Sequence, residues 1–147
     1  MSKNVLKWIF STVAFTLIDA VVWVGGFLLT RSLYVDARLY PMWSVTMLNA
    51  LKNSVSWQSI LLMLFAGLVS GLIYTAAYVL LKDKLSSVFV KRALQFSFVT
   101  FATGALYAFC GVAGMLYLPW TIVLSWIGIS LVSSLATSFA IAALHRD

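Results

Sequence analysis

Four long apolar runs dominate the chain, and each has the length a bilayer demands. They cover 8–30, 59–81, 93–116 and 120–144. A helix needs about 20 apolar residues to cross the hydrocarbon core of a membrane. No water is there to satisfy backbone N–H and C=O groups, so only helices and closed barrels span it. Barrel strands alternate with period two, whereas these runs are continuously apolar. The expected fold is therefore all-α, a polytopic membrane protein with four transmembrane helices in one domain over residues 1–147. Composition agrees: 63% of the residues are hydrophobic and 10% charged, against about 25% charged in soluble domains.

The segments between the runs set the threading. Lys3 and Lys7 make a basic start, but the first run continues past Asp19 and no small-x-small cleavage site follows. That pattern reads as an uncleaved membrane helix rather than a signal peptide. Pro119 opens the last run, where a missing N–H costs a helix nothing. Few residues ("YLP") separate the third run from the fourth, so these two form an antiparallel hairpin. Lys3, Lys7, Lys82, Lys84, Lys91, Arg92 and Arg146 fall on one side, and Arg31, Arg38 and Lys52 on the other. Seven against three predicts that both termini face the cytoplasm, here of a bacterial inner membrane. The sequence pI of about 9.7 is thus a topology signal, and nucleic acid is not an expected partner. The outer loop, 31–58, carries Trp43, Met47, Leu48 and Leu51 near one helical face. An interfacial helix over 42–53 is the expectation. Trp8, Trp57 and Trp120 stand where headgroup-level anchors belong.

Within the spans, polar and small residues carry the information, because apolar side chains draw helices together no better than lipid does. Asp19 sits at the middle of the first run. On insertion scales an ionised Asp at the bilayer centre costs about 2.5 kcal/mol or more. Thr12, Thr16, Asp19, Trp23 and Gly26 follow steps of four, three, four and three, so they share one helical face. Arg31, 12 residues on, is about 18 Å away at the usual rise. Asp19, with Thr16, Thr12 and Trp23, is the candidate site: a place to take up a proton or cation, a polar clamp between helices, or a dock for a partner's basic group. Gly67, Gly71 and Thr75 have the small-residue spacing of a close helix-packing interface, within the chain or with another copy. The third run places Thr100, Thr103, Tyr107, Gly111 and Gly114 on one face. The fourth places Gly128, Val132, Ala136 and Ala140 on one side, and Ser130, Ser134 and Thr137 on a neighbouring one. Hydroxyls there bond readily to the preceding turn. Cys110, inside an apolar run, reads as a small core residue.

Catalytic chemistry is not expected. The chain has one histidine, His145, at the end of the last run, and no glutamate. No Cys or His cluster has metal spacing, no phosphate loop is present, and no histidine lies where it would activate a serine. No cofactor and no metal are expected. His145 reads as a residue near the last carbonyls of its helix.

The stretch "LIDAVVWVGGFL", the aromatic-rich loop and the hairpin of the last two helices resemble small uncharacterised four-helix bacterial inner-membrane proteins with an Asp and then a Trp in the first helix. The residues carrying the resemblance are Asp19 and Trp23. Where a second Asp would be expected near the start of the last helix, Ser125 and Trp126 stand. Small multidrug transporters share the layout of four helices with one acid in the first, though that acid is a Glu. Three functional expectations follow. The first is a non-enzymatic membrane protein that works by contacting lipid, a second copy or another membrane protein. The second is a small proton- or cation-coupled transporter or channel using Asp19. The third is an immunity- or exclusion-type membrane protein.

Overall fold

A computed structural model describes residues 3–35, 57–115 and 118–146. The interfacial helix expected over 42–53 lies outside the described residues. Helix α1 covers Lys3–Thr30 and ends in a 3-10 turn, Arg31–Tyr34. Helix α2 covers Trp57–Leu81 and also ends in a 3-10 turn, Lys82–Lys84. The third long helix is composite: α3 (Phe89–Thr100), a π-helical segment (Phe101–Leu106) and α4 (Tyr107–Met115). Helix α5 covers Trp120–Leu144. Four helices are long and apolar enough to cross a membrane, and no strand occurs among the described residues.

Polarity is distributed as lipid requires. Val21 (72% exposed), Leu29 (86%) and Leu80 (76%) point outward, while Ser11, Thr75, Ser97 and Thr137 are buried. A soluble protein would not present so continuous an apolar surface. Trp57 and Trp120 are exposed near the ends of their helices.

Helix α1 packs between α2 and α5, and α3 packs on α5 and meets α2 through Phe96. The α1–α2 contact is close because two glycines make it so. A Cβ on Gly67 would stand 2.8 Å from Cγ2 of Thr16, and one on Gly71 would stand 2.8 Å from the carbonyl oxygen of Thr12. The Gly67 and Gly71 face is thus taken by α1 of the same chain, and Thr75, one turn on, is fully buried. On the α5 side, Gly26 sits against Ile129.

The basic segments gather at one end. Tyr78 of α2 contacts the His145 ring at the end of α5 (5.7 Å between centroids), and the Arg146 guanidinium lies 5.6 Å from the centroid of Phe89, the first residue of α3. Between them runs a core of Phe15, Tyr78, Ala93, Phe96 and Ile141. The turn into α3 is held by its own polar groups. The Gln95 side chain accepts from the Ser86 N–H, and Arg92 donates to the Ser86 carbonyl.

The π segment breaks one expected alignment. Thr100 turns inward and shares a hydrogen bond with Ser134 of α5 (3.0 Å). Tyr107 is 78% exposed, and a Cβ on Gly111 would meet nothing within 4 Å. A π turn carries an extra residue, so positions after it lag behind the face they would hold in a regular helix. The hydroxyls of Thr100 and Thr103 bond back to the carbonyls of Phe96 and Val99 around this segment. Beyond it Cys110 is exposed, not in the core, because an apolar run in a membrane span faces lipid as well as the bundle interior. On α5 the Gly128 and Val132 side faces outward, and the hydroxyl side faces in.

Candidate functional site: an intramembrane cavity beside Asp19

Asp19 lies halfway along α1, on the side where α5 approaches. The Ser133 hydroxyl donates to its Oδ1 (2.5 Å). Trp23 stands one turn further along α1 and borders the same space. Tyr74 of α2 faces the same space as Asp19.

These groups border a cavity of about 270 Å³ to which every long helix contributes. Helix α1 supplies Phe15, Asp19 and Trp23, and α2 supplies Ser70 and Tyr74. The composite helix supplies Gly104, Ala105, Ala108 and Phe109, and α5 supplies Ser130, Ser133, Ser134 and Thr137. The cavity exists because α2 and the composite helix barely touch at this level. The residues there are small: Gly104 has only the Tyr74 hydroxyl near the place of a Cβ, at 3.8 Å.

Aromatic layers close the cavity above and below. On the basic side, Phe15 packs on Tyr74 (4.7 Å between centroids), and Phe96 meets Tyr78 edge-on. On the opposite side, Trp23 contacts Phe109, which contacts Trp126. The Trp126 indole then donates to the Tyr34 hydroxyl (2.7 Å), whose ring packs on Phe27. The 3-10 turn after α1 is thereby fastened to α5.

The expected site residues separate into two groups. Asp19 and Trp23 line the cavity. Thr12 and Thr16 are buried against the α2 glycines instead, and Thr16 bonds back to the Thr12 carbonyl (2.9 Å). The sequence reading missed Ser133, the direct partner of Asp19, and the part that Phe15, Tyr74 and Phe109 play. The signal for Phe15 was present, since it stands one helical turn before Asp19 as Trp23 stands one turn after. Among the described residues no cluster of His, Cys, Asp or Glu could hold a metal ion. Chemically, the arrangement offers one carboxyl, several hydroxyls and aromatic walls, and no basic side chain among the described lining residues. No family model, curated protein or solved structure matches the chain.

Proposed function

We propose that the protein is a small non-enzymatic, multi-pass membrane protein that binds a proton or cation at Asp19, as a coupled transporter or channel would. One observation carries this reading: the mid-helix carboxyl borders a cavity large enough for several waters and is walled on one side by hydroxyls. A carboxyl serving only to clamp two helices needs no such space. Acids that face the interior of a membrane bundle mark ion and proton paths. A role confined to helix association is less well supported, because the Gly67 and Gly71 surface is already occupied by α1.

The orientation we propose has both termini in the cytoplasm of a bacterial inner membrane. The α2–α3 turn and the end of α5 meet at one end of the bundle and bring Lys82, Lys84, Lys91, Arg92 and Arg146 together there. Such a cluster is retained on the cytoplasmic face.

The test is infrared difference spectroscopy on the reconstituted protein while proton and Na⁺ concentrations are varied. A carboxyl band that responds in the wild type and is lost in Asp19→Asn supports the reading. A band that stays silent removes it and leaves Asp19 as a link between α1 and α5.

A further inference from the structure

We propose that the cavity beside Asp19 is a binding site for a small organic ammonium ion, with Asp19 as the counter-charge and Phe15, Trp23, Tyr74 and Phe109 as aromatic walls. The inference rests on the reading of Asp19 as a cation site and names the class of cation.

The walls decide the class. Phe15, Asp19 and Trp23 lie at steps of four on α1, so the carboxyl has one aromatic ring a turn below it and another a turn above. Each ring meets an aromatic partner from across the cavity: Tyr74 against Phe15 and Phe109 against Trp23. All five residues border the same space. The π faces of such rings attract a cation whose charge is spread over methyl or methylene groups, most strongly where water is excluded. A hard metal ion needs something else, a shell of about six to eight oxygens. The lining offers one carboxyl, and its other side-chain oxygens are neutral hydroxyls, of which Ser133, Ser134 and Thr137 are held in place by donating to Asp19 and to the Ser97 and Ser133 carbonyls.

Size and access agree with this class. At about 270 Å³ the cavity lies just below the range of about 300–1,000 Å³ for drug-sized ligands, so it suits a head group of the trimethylammonium kind. Gly104 and Ala108, on the side facing α2, are exposed. The cavity therefore opens between α2 and the composite helix, on the flank that faces the bilayer in the orientation proposed above. An amphiphilic amine dissolved in the membrane would reach it along that cleft.

The experiment is equilibrium binding to the full chain in nanodiscs. The probes are choline and 3,3-dimethylbutan-1-ol, which has the same shape without the charge. Choline is expected to bind at least about tenfold more tightly than the alcohol. Asp19→Asn is expected to abolish that difference, and Phe109→Leu, which keeps an apolar wall without a ring, to weaken choline several-fold. Phe109→Leu keeps both Asp19 and its partner Ser133, so it serves where Asp19→Asn fails to fold. Equal binding of the two probes, binding of neither, or choline binding indifferent to both substitutions overturns the proposal. If choline fails while the Asp19 carboxyl band still responds to protons or Na⁺, the ammonium class falls alone. If the band is also silent, the cation reading falls with it.

Discussion

Ser133 of α5 donates its hydroxyl proton to Asp19 of α1, joining two helices that are far apart in the chain. Asp19 is only partly buried and Ser133 is buried, so the bond forms at the edge of the cavity and the rest of the carboxyl stays available to it. Ser133→Ala removes the donor without changing the helix. Leaving a half-buried acceptor unmet costs about 1–3 kcal/mol, and thermal melting in detergent should show a lower Tm. Asp19→Asn keeps a carbonyl oxygen for Ser133 and should melt closer to the wild type than Ser133→Ala does. If Asp19→Asn is instead the more damaging change, the negative charge is needed for the fold itself.

The two glycines of α2 should respond differently to the same small substitution. At Gly67 an added Cβ meets Cγ2 of Thr16, and at Gly71 it meets the backbone carbonyl of Thr12. Overpacking of this kind costs about 1–3 kcal/mol. Thr16→Ser removes the offending methyl, so Gly67→Ala should be largely rescued in the double variant. No side-chain change at Thr12 moves a backbone oxygen, so Gly71→Ala with Thr12→Ser should remain as unstable as Gly71→Ala. Melting curves of the four variants decide this, and rescue at both positions would place the contact elsewhere than on these atoms.

How far the sequence revealed this arrangement follows from which interactions are local. The membrane-length helices were legible because their signal is the apolar run itself; α5, Trp120–Leu144, coincides with the run 120–144. Helix α3 begins at Phe89, ahead of the run at 93, and so includes Lys91 and Arg92. Hydropathy marks the hydrocarbon core, whereas a helix continues into the polar headgroup layer. Asp19 was legible as a site because a carboxyl is costly in that core. Its partner was not. Hydroxyls at 130, 133, 134, 137 and 138 spread over neighbouring faces of α5, and only the packing of α1 selects Ser133. The face from Thr100 to Gly111 was misread because a period of 3.6 assumes a regular helix, and the π segment shifts every position after it.

The end of the bundle opposite the basic cluster depends on a second polar link between distant segments. Trp126 donates to the Tyr34 hydroxyl, and that hydroxyl lies 3.4 Å from Ser125 Oγ. Tyr34→Phe removes the oxygen that serves both neighbours, while Trp126→Phe removes one donor. A single hydrogen bond contributes about 0.5–1.5 kcal/mol net. Tyr34→Phe should therefore lower the Tm in detergent more than Trp126→Phe, and the pair together little more than Tyr34→Phe alone. Additive losses would mean that the two side chains act independently.

Topology gives the remaining prediction. Ser87 is exposed in the turn between α2 and α3, beside the basic cluster. In a Cys110→Ala background, Ser87→Cys should resist a membrane-impermeant maleimide added to intact spheroplasts and react in inverted membrane vesicles. In the proposed orientation seven basic residues lie on the cytoplasmic side against three on the other. Replacing Lys82, Lys84 and Lys91 by Gln removes three from the larger group and leaves four against three. That near-balance should yield a mixed population, with part of the Ser87→Cys protein now labelled from outside, because Lys and Arg near helix ends bias insertion whereas Asp contributes little. Labelling from outside in the unaltered charge background would reverse the assignment and put the basic cluster, with both termini, on the outer face.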